Sequence, residues 1–266
     1  MGIRVTNLKQ VLLIIALVLM SILSGCMKGV AQGQDVTDFF IRTDGYISEF
    51  AGRPYELLLT YYCKNGSDPI LSTGNIICVE PVGVEDLTVT IGQIQPMKEV
   101  QGDQYQGYGV SLYCTFCTPG IYELEYLDFQ LGEDQMERFP IGKWQFDISE
   151  DTDQAGPLLY NDFVATSAPN VYRFECSNLD ENIRIEKIYY SKDQYITVND
   201  GLTSTGKAEL ENISAPIYVV RPKIIAAAGE EKMVLHGTEC ACGALDVDDN
   251  DIAASREYTY ENRKEK

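Results

Sequence analysis

Apolar side chains recur at every second position along most of this chain, and that period limits the fold more than any other feature. Tyr55, Leu57, Leu59 and Tyr61 form one stripe; Leu87, Val89 and Ile91 form a second. Tyr108, Val110, Leu112, Cys114 and Phe116 form a third, and Trp144, Phe146 and Ile148 a fourth. Successive side chains of a strand point to opposite faces, so a period of two places one apolar face on a core; a helix would need a period of 3.6. The stripes are separated by turn signals: Gly52-Arg53-Pro54, Lys64-Asn65-Gly66, Thr118-Pro119-Gly120 and Gly132-Glu133-Asp134. Short alternating strands with this punctuation predict a β-sandwich.

The second half repeats the pattern. Val171, Arg173 and Glu175 alternate with Tyr172, Phe174 and Cys176, and Ile183, Ile185 and Ile188 mark the next strand. Tyr195 to Val198 runs into the turn Asn199-Asp200-Gly201, and further strands are expected at 217–220 and 232–235. Between the halves lies Ser149 to Pro157, acidic and ending Gly-Pro, which reads as a linker. A length of 266 residues allows one large or two small domains at roughly 150 residues each. The partition expected is a signal segment 1–25, a tether 26–36, a β-sandwich 37–148, a linker 149–157, a second β-sandwich 158–245 and a mobile charged tail 246–266; one long sandwich is the alternative. Thr118-Pro119-Gly120-Ile121-Tyr122 resembles the Pro-Gly-x-Tyr turn and strand of bacterial immunoglobulin-like modules. The resemblance implies a mainly β chain of two tandem immunoglobulin-like sandwiches, with Tyr122 entering the core.

Location is read from the first 26 residues. Arg4 and Lys9 precede an apolar run from Val11 to Leu23, too short to span a bilayer, which needs about 20 residues, but of signal-peptide length. Leu23-Ser24-Gly25-Cys26 closes the segment and resembles the lipobox of bacterial lipoproteins. The resemblance implies cleavage before Cys26, lipidation of its sulfur, and attachment to the outer face of a cell membrane, or to an outer membrane if the host has one. Loss of 1–25 removes two positive charges and takes the formal charge from −19 to −21. Such a body is repelled by anionic headgroups. The tether can hold it off the surface by up to about 35 Å. The acidity also argues against nucleic acid as a partner, because phosphate binding needs a basic face.

The chemistry-bearing residues are few. His236 is the sole imidazole, and no nucleophile can be paired with it from the sequence. Cys114 and Cys117 form a C-x-x-C that ends a strand rather than opening a helix, unlike a redox dithiol. With Cys240 and Cys242 they make four thiols, the number a zinc site takes. Cys63 and Cys78 flank a loop and are the expected disulfide, which would stabilise by about 3 kcal/mol. Asp246, Asp248, Asn250 and Glu257 match positions one, three, five and twelve of a calcium loop, but Asp251 stands where that loop needs glycine. No cofactor is indicated. Most of the 17 tyrosines are expected to be half-buried strand residues, with Tyr105, Tyr108, Tyr258 and Tyr260 the candidates for exposure. The resulting expectation is a lipid-anchored envelope protein that binds another envelope protein or a glycan; a wall-polysaccharide hydrolase is the alternative.

Overall fold

The computed structural model describes residues 36–97, 104–151, 158–160, 164–178, 183–198 and 203–263. They belong, Val36 apart, to one compact unit, Thr37–Lys266. Cys26, the signal segment, most of the tether and most of the expected linker lie outside the described residues.

The chain is mainly β. In order, the strands are β1 (Asp38–Phe40), β2 (Thr43–Phe50), β3 (Tyr55–Lys64), β4 (Cys78–Pro81), β5 (Leu87–Pro96), β6 (Tyr105–Phe116), β7 (Gly120–Gln130) and β8 (Met136–Ser149). There follow β9 (Leu158–Tyr160), β10 (Val164–Thr166), β11 (Val171–Asn178), β12 (Ile183–Tyr189), β13 (Tyr195–Thr197) and β14 (Thr203–Glu209). The last are β15 (Ile217–Arg221), β16 (Lys223–Ala228), β17 (Glu231–His236) and β18 (Cys240–Cys242), before a helix, α1 (Asp249–Arg263).

Four sheets form: β1-β3-β6-β5, β10-β18-β15-β2-β8-β7-β4, β14-β11-β9 and β13-β12-β16-β17. The first two face each other. The expected stripes fill the space between them: Tyr55, Leu57, Leu59, Tyr61, Val110, Leu112, Trp144 and Phe146 are all buried. Phe40 and Tyr61 from the first sheet interleave with Phe129 and Phe139 from the second. The Phe40–Phe139 rings meet edge to face at 5.5 Å and the Phe129–Phe139 rings at 5.7 Å. Such pairs add about 0.5–1.5 kcal/mol each beyond area burial.

The expected break at 149–157 is corrected in one respect. Strands β10, β15 and β18 do not form a separate sandwich; they extend the second sheet through parallel pairing of β15 with β2. The link between halves is a strand that changes sheet. β15 ends at Arg221, and after Pro222 the chain continues as β16 in the fourth sheet. Proline lacks the N–H that a ladder needs, so it suits such a corner.

The charged tail is also corrected. Residues 249–263 form α1, which packs on β1 and β8 and buries Ile252, Ser255 and Thr259. Asp248 caps it: Oδ1 accepts from the Asn250 N–H at 2.8 Å and the Asp251 N–H at 3.1 Å, while Asp251 Oδ2 accepts from the Asp248 N–H at 3.0 Å. This reciprocal cap satisfies N–H groups that a helix start leaves free, and acidic first-turn residues with Arg263 in the last turn complement the dipole.

Two glycines position the central strands. A Cβ at Gly45 would lie 2.7 Å from the Trp144 ring, so the bare backbone of β2 lets the indole lie across it. Gly142 (φ +106°) sits where β8 bulges away from β7, and a Cβ there would stand 2.1 Å from the Thr43 carbonyl oxygen. Gly142→Ala is expected to cost roughly 3 kcal/mol, read by urea melts against wild type. Asp248→Ala should cost about 1 kcal/mol in the same assay.

Candidate functional site

An open, solvent-accessible site lies where the β4–β5 turn meets β7. Gly83, Val84, Glu85 and Asp86 on one side and Ile121, Tyr122 and Glu123 on the other line an open groove of about 600 Å³. Its floor is rigid for a local reason. The Tyr122 hydroxyl lies 2.9 Å from the Thr118 carbonyl oxygen, four residues back, and 3.0 Å from Asp86 Oδ2, and its ring packs on Phe116 at 4.7 Å. The Thr118 hydroxyl donates to the same Asp86 carboxylate. A tyrosine tied to backbone a few residues upstream is the corner device of immunoglobulin-like sandwiches. Tyr122, expected to enter the core, lies half-buried at its rim with its ring on Phe116. Asp86 is held by these hydroxyls, which leaves Glu85 and Glu123 as the exposed acids and Ile121, 48% exposed, as the apolar contact.

A second polar cluster is internal and lies around the Pro222 corner. Ser48 Oγ is 2.7 Å from His236 Nδ1, and the imidazole stands edge-on to Phe50 at 4.2 Å. Beside it, Arg221 pairs with Glu49 at 2.7 Å, and Lys223 pairs at 2.8 Å with Asp147, which accepts the Tyr46 hydroxyl at 2.9 Å. The Tyr55 hydroxyl donates to Glu239. Ser48 and His236 are 188 residues apart in sequence, so nothing in the sequence linked them. The pair is not a nucleophile and base: Ser48 is fully buried, and His236 Nε2, also buried, finds no acid partner among the described residues. Burial first, then the positive charges of Arg221, Lys223 and Arg53, pull the His236 pKa down to about 3.

The remaining expected site residues are placed as follows. Cys63 and Cys78 are free thiols, which corrects the disulfide. β4 pairs with β7, not β3, so the two cysteines stand on different sheets. Cys63 Sγ is 3.4 Å from the Lys64 and Ser67 carbonyl oxygens, and Cys78 Sγ lies 3.1 Å from Gln130 Oε1. Burial pushes the Cys63 thiol up to about 11. The four-thiol zinc site is corrected too. Cys114 is buried in the first sheet, where burial raises its thiol to about 12, and Cys117 is exposed after β6. Only Cys240 and Cys242 lie together, and among the described residues no three His, Cys, Asp or Glu side chains form a metal-holding group. The calcium loop is replaced by the α1 cap: Asp248 Oδ1 accepts from two backbone N–H groups and Oδ2 from the Asn250 side-chain amide, and Glu257 sits beyond it on the helix. Of the four tyrosines expected to be exposed, Tyr105 is buried and Tyr108, Tyr258 and Tyr260 are half-buried. Tyr105 accepts from Arg256 at 2.9 Å, and Tyr258 lies under the Arg42 guanidinium at 4.8 Å.

No family model matches the chain, and no curated protein sequence is similar to it. Among solved structures it is similar to tandem Ig repeats of Dlar (12% identity, 77% of this chain, 97% of that one, TM-score 0.21). It is also similar to the titin Ig tandem domains A164–A165 (7%, 77% and 96%, TM-score 0.22) and to zebrafish RET cadherin-like domains 1 to 4 (8%, 77% and 50%, TM-score 0.27). Likenesses this distant say nothing of function. No helix among the described residues is long and apolar enough to cross a membrane.

Because His236 is held neutral when folded, acid favours the unfolded chain, whose imidazole takes up a proton near pH 6.5. Its contribution is complete above that pH and is lost as pH falls toward about 3. Between pH 7.5 and 5, wild type should lose about 2 kcal/mol more stability than His236→Gln, measured by urea melts at both pH values.

Proposed function

We propose that this chain is the body of a lipid-anchored cell-envelope protein that binds or assembles with another envelope component through the Glu85–Glu123 groove. The groove carries the reading: an open depression, acidic at Glu85 and Glu123, apolar at Ile121, on a floor that Tyr122 and Asp86 hold rigid. A preformed surface loses little conformational entropy on binding, which favours recognition by a sandwich end. The lipobox at Cys26 supports anchoring outside the cytoplasm, and the acidic body favours a basic protein segment or a neutral glycan over anionic lipid. Aromatic and carboxylate groups in one groove also suit a wall polysaccharide as substrate, which keeps hydrolysis as the second reading.

The test is crosslinking and affinity capture of the full acylated protein in its native envelope. Wild type is expected to retain a defined partner, and the doubly charge-reversed Glu85→Lys/Glu123→Lys protein should lose at least tenfold of it. Equal capture by both proteins counts against the groove. Release of reducing ends from purified wall glycan, abolished by Glu123→Gln, would replace binding with hydrolysis.

A further inference from the structure

We propose that Cys240 and Cys242 form a two-thiolate site for a soft monovalent metal ion, Cu(I) in the first instance. The two residues are the ends of β18, a three-residue strand held between β10 and β15. Positions two apart on a strand share a face. Both side chains are buried, at 2% and 0% exposure, and their sulfurs lie 3.8 Å apart. Two metal–sulfur bonds of about 2.3 Å span up to about 4.6 Å, so the sulfurs need to part by less than about 1 Å to take one ion end to end, and they already stand far beyond the roughly 2.0 Å of a disulfide.

The surroundings select the metal. Tyr172, Ala208, Leu210 and Val220 pack around the pair in an apolar cluster, with little room for water ligands. Zinc takes four ligands, whereas no third His, Cys, Asp or Glu joins this pair among the described residues. Two thiolates alone suit a soft ion of low coordination number.

Thr166 stands opposite Cys242 in the β10–β18 ladder, where its hydroxyl donates to the Ala168 carbonyl oxygen at 3.3 Å, and Arg173 lies beside Cys240. In the metal-free protein the two thiols share one hydrogen bond at 3.8 Å, in which either can be the donor. Loading exchanges two thiol protons for one Cu(I): two S–H bonds break, two Cu–S bonds form, two protons leave to solvent, and no electron moves. The product carries one net negative charge. The positive charge of the nearby Arg173 side chain offsets part of it. Because the sulfurs are covered, loading must follow a local opening of β18, which makes it slow.

The experiment titrates the full chain, in detergent and without oxygen, with Cu(I) supplied as its bicinchoninate complex. Wild type is expected to take one more equivalent than Cys240→Ser/Cys242→Ser. X-ray absorption of that equivalent should show two sulfur neighbours and no nitrogen or oxygen. Cys117→Ser, at an exposed thiol, should keep the equivalent. Loading should raise the melting temperature of wild type and leave the double variant unmoved. Cys240→Ala/Cys242→Ala serves as a second double variant if the serine form does not melt cooperatively. Equal uptake by wild type and the folded double variant overturns the proposal, as does a Cys240/Cys242-dependent Zn(II) that Cu(I) fails to displace.

Discussion

Everything in this fold hangs on β2, a strand buried along its whole length and paired in parallel on both sides, with β15 on one edge and β8 on the other. Parallel strands normally sit under cover on both faces and read as unbroken apolar runs. The sequence of β2 is TDGYISEF, with Asp44, Ser48 and Glu49 among its buried residues. Such groups survive burial only with partners, because an unpaired buried charge or hydroxyl costs several kcal/mol. The partners are Arg42 and the Lys143 N–H for Asp44, His236 for Ser48, and Arg221 for Glu49.

Those partners explain why the two halves of the chain are not separate. Arg221 and His236 come from strands past the expected linker, and Lys223 reaches Asp147 from the far side of Pro222. A domain interface made only of apolar area could slide. One built on directional pairs around a corner proline has a single register. The groove stands elsewhere, at the β4–β5 turn and β7, where Tyr122 ties the strand to its own turn. A rigid body and an accessible rim are thus separate features, and changing the rim charges leaves the central strand untouched.

The stripes at Tyr55–Tyr61, Leu87–Ile91 and Trp144–Ile148 were legible because each faces water or a loosely covered layer on its other side, which keeps polar residues at alternate positions. β2 was not legible, since burial on both faces removes the alternation and its polar residues are explained only by groups up to 188 residues away. α1 was masked by composition: 249–263 has few apolar residues, and only Ile252 among its buried side chains is aliphatic. The Asp248-x-x-Asp251 spacing was the available signal, and as a cap it outweighs the calcium-loop match because backbone N–H groups and the Asn250 amide already claim the Asp248 oxygens. The thiols misled for a related reason. Cys63 and Cys78 look adjacent across a loop, but a loop says nothing about which sheet its next strand joins.

By itself the sequence determined that this is a β protein with a sandwich core, where turns between its N-terminal strands fall, that it is strongly acidic, and that its first 26 residues resemble a lipoprotein signal; these follow from periodicity, turn chemistry and charge, which are local, while the expected turn at Asn199-Asp200-Gly201 lies outside the described residues. Only the tertiary structure decided that the C-terminal half completes the N-terminal sheet, that Ser48 meets His236, that two of the cysteines share one face of β18, and that Glu85 and Glu123 line one groove. Strand order and sheet choice depend on pairing energies between distant segments, and no local pattern of side chains encodes those.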